Sequence, residues 1–292
     1  MAFPAVQSSS TGSRTSNSGP FGTAIRVSMP AGVQVGDLLI AHGAGNSNLP
    51  TPLTSGWNAL TTVGDVNNVK AYWKIADSGD LGATQDWTAL AGSANTEAAE
   101  IGIVRITGHD PVNPIQQSHF TSSGSGGTTV NDSGITPTPL QCLFLILAAG
   151  SNSTAARTTS GYAVANNNPS WAEVFDADSA GSAGSNHTLA ALASANQTSS
   201  PGNATGNATA VFSGSESNYL VGIVAIAPAI TLTAPTQALT STLIVPAFVR
   251  GIVAPIISII STFIAPAVST VLKKWSNQSK STSAWNNQSK TP

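Results

Sequence analysis

Few residues in this chain are of types that do chemistry, and their spacing matters more than their number. The four histidines, His42, His109, His119 and His187, are scattered. None forms a His-x-x-x-His pair and Cys142 is the only cysteine, so no transition-metal site is expected. Asp176-Ala-Asp178-Ser-Ala-Gly181 begins like a calcium loop, but its fifth position is Ala180 and its twelfth is His187. Such a loop needs an oxygen ligand at the fifth position and a bidentate Glu at the twelfth, so calcium is not expected either. Glu97 and Glu100 are candidates for the paired carboxylates of a glycosidase. They precede a strand in a polar stretch, which makes a solvated edge the simpler expectation. No nucleophile elbow and no phosphate-cradling loop occurs. Neither a cofactor nor an enzyme is indicated. Two aromatic residues stand out, Trp57 after Ser55-Gly56 and Tyr162 after Ser160-Gly161. They are read as anchors over one edge of a core, or as platforms for a sugar.

The elements that would position these residues come from the rest of the chain. It has 292 residues, enough for one large β domain with an appendage, or for two domains. Only 8% of the residues are charged, which is low for a solvated disordered chain. Residues 1–216 carry all 13 acids and six bases, a balance of −7, whereas residues 217–292 carry five bases and no acid. The basic end either keeps an apolar tail in solution or meets an acidic partner, another subunit or a membrane surface. No Lys/Arg cluster exceeds the pair 273–274, so nucleic acid is not an expected partner. Cys142 lies in the apolar run CLFLIL and is expected to be a buried thiol. The opening MAFPAVQSSS lacks the basic-then-apolar pattern of a signal peptide. The Asn-x-Ser/Thr triplets at Asn152, Asn186, Asn203 and Asn207 are therefore taken as a product of composition.

Residues 1–230 read as a head in which one pattern occurs twice, over about 36–108 and 141–228. Leu38–Gly45 matches Leu143–Gly150, and Ser55-Gly56-Trp57 matches Ser160-Gly161-Tyr162, both at a shift of 105. Val69–Ala76 is matched to Trp171–Ala177, and Gly102-Ile-Val-Arg-Ile106 to Gly222-Ile-Val-Ala-Ile226. The segment 111–140 is read as a linker containing a flexible stretch, Thr121–Thr129. Short apolar runs separated by Gly, Pro, Asn and Ser, with no amphipathic helix between them, predict an all-β fold. The expectation is a jelly-roll-like antiparallel β-sandwich built from two duplicated halves, one sheet packed on the other.

Behind the head comes a repetitive apolar tract, residues 231–274. APTQALTSTLIVPAFVRGIV (234–253) and APIISIISTFIAPAVSTVLK (254–273) align at a shift of twenty, with prolines at Pro235, Pro246, Pro255 and Pro266. The 22 residues from Gly251 to Leu272 carry no charge. As a helix they would span about 33 Å, enough to cross a bilayer. Interior prolines oppose that helix, and Ile, Val, Thr and Phe suit strands. Repeats of this kind bury their apolar face only against neighbours. A β stalk shared among chains, three of them by expectation, is therefore preferred over a membrane-inserting segment or a buried helix. The ending, 275–292, repeats Trp-x-Asn-Gln-Ser-Lys at Trp275 and Trp285 and reads either as two docking pegs or as a flexible tail.

The head resembles a β-sandwich module of tailed-bacteriophage virion structural proteins. The residues that carry the resemblance are Pro30-Ala-Gly-Val-Gln-Val-Gly-Asp-Leu-Leu39, Ser55-Gly-Trp57, Tyr72-Trp-Lys-Ile-Ala76 and Gly102-Ile-Val-Arg-Ile106. It covers about residues 25–228 and, more loosely, 230–292, where the chain is more apolar than the usual Thr/Val tract. The resemblance implies a non-enzymatic virion protein, a tail fibre or tail appendage, or else a capsid decoration or head fibre. It brings no catalytic residue. The partners it implies are sister chains, other virion proteins and a host surface glycan. The remaining readings are a carbohydrate-binding receptor module and a membrane-active protein acting through residues 251–272.

Overall fold

Strands Leu38–Gly45 and Leu143–Ser153 show why the chain forms layers. In the first, Leu38 and Ile40 feed one apolar cluster while Leu39 and Ala41 feed another. In the second, Leu143, Leu145 and Leu147 point to the first of those clusters and Phe144, Ile146 and Ala148 to a third. Successive side chains of a strand point to opposite faces, so an uninterrupted apolar run requires a covering layer on each side. Each of these two strands is the centre of a sheet buried on both faces.

The computed structural model describes residues 2–14, 24–45, 51–60, 69–88, 98–124, 127–139, 141–153, 155–180, 187–216 and 218–229. The proline repeats, the Trp275 and Trp285 pegs and Glu97 lie outside the described residues. Residues 1–234 form one compact unit. Its first eight strands are β1 (Ala5–Arg14), β2 (Ala24–Ser28), β3 (Leu38–Gly45), β4 (Thr51–Pro52), β5 (Asn58–Ala59), β6 (Val69–Ile75), β7 (Thr84–Thr88) and β8 (Ala99–Thr107). The second eight are β9 (Ile115–Ser123), β10 (Gly127–Asp132), β11 (Leu143–Ser153), β12 (Thr159–Val164), β13 (Ala172–Ala180), β14 (His187–Asn196), β15 (Ala208–Glu216) and β16 (Asn218–Ile226).

The expected all-β antiparallel sandwich is present, and the duplication runs deeper than the sequence suggested. The first eight strands make sheets of order β1-β8-β3-β6-β5 and β2-β7-β4; the second eight make β9-β16-β11-β14-β13 and β10-β15-β12. Adding eight to each strand of the first pair of sheets reproduces the second pair. Each half is thus a complete eight-stranded, jelly-roll-like sandwich with both of its layers, instead of one layer of a shared sandwich. The two five-stranded sheets pack face to face through Leu38, Ile40, Val104 and Ile106 on one side and Leu145, Leu147, Leu192 and Val224 on the other. Each such side chain contributes about 1.5–3 kcal/mol of hydrophobic stabilisation.

Two readings of the sequence change. Residues 111–140 are not a linker, because they contain β9 and β10, the counterparts of β1 and β2. The partner of Val69–Ala76 is β14, not Trp171–Ala177. Leu38 pairs with Ile75 as Leu143 pairs with Asn196, which aligns the two strands at a shift of 121. The Asp-Ser dipeptide that follows both segments is a turn at Asp77 but lies inside β13 at Asp178.

The repeated glycine of the Gly-Ile-Val motif has a steric cause in both copies. A Cβ on Gly102 would lie 2.1 Å from the Phe175 ring, and one on Gly222 would lie 2.0 Å from the Phe120 ring. Phe175 presses on β8 from the facing sheet, while Phe120 is the cross-strand partner of Gly222. The same residue type is required by different neighbours.

Candidate functional site

The registers define two ends of the double sandwich. Arg14, Gly45 and Val69 lie level with Ala99 and Glu100, and Ser123, Ser151 and Thr188 lie level with Asn218 and Tyr219. These are the ends from which all eight odd-to-even connections depart, β1 to β2 through β15 to β16. The Ser179 hydroxyl donates to the Ala99 carbonyl at 3.0 Å, so both halves present these connections at one end. The chain enters and leaves at the other. Ala229 N–H donates to Gly108 O at 2.8 Å, and Phe3 and Pro4 lie against the same glycine.

The connection-bearing end holds an unusual group of buried acids. Side chains of β13 alternate, so Phe175 and Ser179 face the first half while Asp176 and Asp178 turn toward β12. Asp176 accepts from Thr159 N–H at 2.6 Å and Asp178 from Arg157 N–H at 3.1 Å, closing the gap between β13 and the approach to β12. Asp178 also pairs with His187 Nδ1 at 2.7 Å. Glu216, with no exposed side-chain surface, pairs with Arg157 Nε at 3.3 Å. Glu100 is 2% exposed and stands across from Asp178. Burial, with the Asp178 charge second, pushes the Glu100 carboxyl up to about 8. Burial likewise pushes Glu216 up to about 7, against the opposing pull of Arg157, and Asp176 up to about 6. Carboxyls that hold a proton near neutrality suit general acid chemistry when a substrate can reach them. Glu100 and Glu216 are sealed, so in this arrangement they act on the stability of the fold. Among the described residues no group of three or more His, Cys, Asp and Glu is placed to hold a metal ion.

The histidines are dispersed, each with its own surroundings. His42 is buried between the two five-stranded sheets, stacks on Phe175 with ring centroids 5.3 Å apart and donates from Nε2 to Ala148 O at 3.2 Å. Burial lowers its pKa to about 4, so it is a neutral joint between the halves. His119 pairs with the fully buried Asp132, and His109 is buried beside the exit of β8. Burial raises the pKa of the Cys142 thiol to about 11, leaving it protonated and inert.

Trp57 is half-buried; its ring packs on Trp87 at 5.1 Å and its Nε1–H donates to Gln85 Oε1 at 3.1 Å. Tyr162 is half-buried on the third cluster, and burial first, then nearby carboxylates, raises its phenol pKa. The duplicated aromatics therefore anchor the edges of their own sandwiches and do not converge. No family model, curated protein or solved structure matches the chain. The geometry itself is what bears on function.

One further site was not read from the sequence. At the opposite end of the first sandwich, beside Trp57, a cavity of about 220 Å³ is lined by Thr54, Ser55, Lys74, Asp77, Asp80 and Gln85, among others. Lys74 Nζ lies 2.9 Å from Asp80 and 3.1 Å from Asp77, and its side chain is only 7% exposed. Burial works against this ammonium, the bonds to Asp80 and Asp77 outweigh it, and its pKa is raised. The signal was divided among three separate motifs, Ser55-Gly-Trp57, Tyr72-Trp-Lys74 and Asp77-Ser-Gly-Asp80. Only the return of β6 into β7 brings them together. Among the described residues no helix is long and apolar enough to cross a membrane.

Proposed function

We propose that this chain is a non-enzymatic structural protein of a tailed-bacteriophage virion, a tail fibre or tail appendage that displays its double sandwich outward. The observation that carries the reading is the polarity of the head. Phe3 and Pro4 at the start of the described head and Ala229 at its end lie together at Gly108, and the strands joined by the eight odd-to-even connections end and begin at the far side. A module held at one corner leaves the rest of its rigid scaffold free for display, and loops on such a scaffold are where binding residues concentrate. The sealed carboxyls and the dispersed histidines give no support to catalysis. Residues 231–274 are the proposed oligomerisation tract, with three chains per assembly and Pro235, Pro246, Pro255 and Pro266 marking its repeats. Trp275 and Trp285 are the proposed contacts with other virion proteins.

Immunogold labelling of intact particles tests the reading. Gold on the tail is expected. Gold on the capsid would make the protein a decoration or head fibre, a use to which the same head and tract are suited. Particles without gold would end the virion reading. The mass in solution of the full chain against that of residues 1–234 tests the tract, with loss of oligomers expected in the shorter chain.

A further inference from the structure

We infer that the cavity formed by Thr54, Ser55, Lys74, Asp77, Asp80 and Gln85 is a binding subsite for a neutral, hydroxyl-rich ligand, one ring of a glycan. The inference gives the displayed head a ligand class, and it rests on the display reading for its biological setting alone.

The duplication supplies an internal control. Lys74 pairs with Leu39 in the first sandwich, and at the equivalent place Ala195 pairs with Phe144. The second copy therefore closes the same two-layer fold with a methyl group where the first buries an ammonium. A buried ion pair often gives no net stability over apolar packing; here it holds the 77–80 turn, Asp80 Oδ2 accepting Asp77 N–H at 2.8 Å, and so sets Asp77 at the mouth of the cavity. Asp80, 4% exposed, and Gln85, 1% exposed, complete a polar wall inside an apolar corner. Gln85 is held rigidly, its Oε1 accepting from Thr54 Oγ1 at 2.6 Å and from Trp57 Nε1 at 3.1 Å, its Nε2 donating to Asp86 O at 3.1 Å.

The charges select the ligand. An anion entering the cavity meets two carboxylates, and a cation meets the Lys74 ammonium. A neutral hydroxyl both donates to Asp77 and accepts from a Lys74 or Ser55 donor, using both charge types at once. Asp77 is the accessible member, with 63% of its side chain exposed. Met29 and Ala83, which also line the cavity, offer apolar surface for the C–H face of a ring. At about 220 Å³ the cavity falls below the roughly 300–1,000 Å³ of sites for drug-sized ligands, as a single ring requires. It opens three strands from β1, roughly 14 Å across the sheet from the strand at which the chain enters.

Saturation-transfer NMR on the purified full chain tests the subsite, with methyl α-D-glucopyranoside, methyl β-D-galactopyranoside and N-acetylglucosamine as neutral probes and tetramethylammonium and inorganic phosphate as charged ones. Saturable transfer from at least one neutral probe is expected, with Kd on the order of 1 mM. Asp77→Ala should weaken it by about tenfold, the loss that goes with one charge-assisted hydrogen bond. Ser55→Ala, which disturbs no bond of the fold, should weaken it less but measurably. Asn203→Ala, in the separate amide-lined hollow of the second sandwich, should leave it unchanged. The inference fails if no neutral probe saturates, if a charged probe binds better, if native transfer survives in both Asp77→Ala and Ser55→Ala, or if Asn203→Ala abolishes it. Because the chain is purified, none of these outcomes depends on where gold lies on the particle.

Discussion

Replacing Glu100 by Gln should change the pH dependence of stability more than any other single carboxyl substitution. The Glu100 side chain is 2% exposed, and burial first and the Asp178 charge second raise its pKa from 4.5 to about 8. The native state thus holds this proton more tightly than the unfolded chain does. Its contribution is fully present below pH 4.5 and is lost as the pH rises through about 8. Between pH 5 and pH 7 the native carboxyl stays protonated while the unfolded one ionises, a loss of about 2.5 kcal/mol for this group. Glu216 and Asp176, raised to about 7 and about 6, push in the same direction. Asp77 and Asp86 are held below the ordinary range, Asp77 by the Gly79 N–H ahead of Lys74 and Asp86 by Arg26. Their contributions are present at neutral pH and are lost only on further acidification. Below about pH 6.5 His42, whose pKa burial lowers to about 4, works the other way, so it is from pH 6.5 toward pH 8 that the wild-type protein should lose stability. Urea midpoints followed by tryptophan fluorescence at pH 5, 6, 7 and 8 would show it. Glu100→Gln should match the wild type at pH 5 and exceed it progressively toward pH 8. Midpoints of the two proteins that run parallel across this range would refute the assignment of the buried proton to Glu100.

Other substitutions test the packing. Gly102→Ala places a methyl group 2.1 Å from the Phe175 ring and should cost about 1–3 kcal/mol in chemical denaturation, with Phe175→Leu in the same chain recovering part of it. Trp87→Ala empties the centre of the first sandwich, where the ring is 1% exposed, and should cost about 3–5 kcal/mol by the same assay. Lys74→Met strands Asp80 and should cost about 3–5 kcal/mol, whereas Lys74→Met with Asp80→Leu should regain most of that loss. A double-mutant cycle measures the difference, and a double variant no better than the single would show that the ion pair is required by the fold.

The sequence made the fold class legible because the periodicity that signals strands is local. Leu38–Gly45 and Leu143–Gly150 are apolar at every covered position except His42, and each proves to be a central strand. The duplication was legible where an apolar run or a Gly-Ile-Val motif recurs. It was lost where the copies differ, as at β6 and β14, because Val-Lys-Ala-Tyr-Trp-Lys-Ile (69–75) and Ala-Ala-Leu-Ala-Ser-Ala-Asn (190–196) share position in the sheet but few residue types. Strands β9 and β10 were hidden for another reason. Ile115–Ser123 is an edge strand of Gln, Ser, His and Thr, whose only deeply buried side chain is Phe120, so it lacks the alternation that marks a strand. Glu100 is buried where the sequence suggests a solvated edge, because its burial depends on Asp178 and Ser179, about 80 residues away in the chain and brought to it only by the packing of two sheets.

The comparison of the two copies also separates what the architecture demands from what it only permits. Leu38 and Leu143, and the backbone bonds Ala76 N to Asp37 O and Gln197 N to Cys142 O, occupy matching places and repeat the same contacts. Those are requirements of closing an eight-stranded sandwich. Asp37 forms a 2.6 Å ion pair with Arg105, yet Cys142 and Ala225 stand at the two corresponding positions. Lys74 with Asp80 has the same relation to Ala195. In each case the second copy has solved the packing with small apolar groups, which avoids the desolvation cost that the first copy bears. A charge kept buried where the fold closes without it has to be explained by what it orients. For Arg105 and Asp37 that is the 30–37 turn, since Asp37 Oδ2 also accepts Gln34 N–H at 2.7 Å. For Lys74 it is the carboxylate Asp77, half in solvent at the mouth of the cavity. The divergence between the halves thus points to the first sandwich, at the corner held by Trp57, as the place where a small ligand would be recognised.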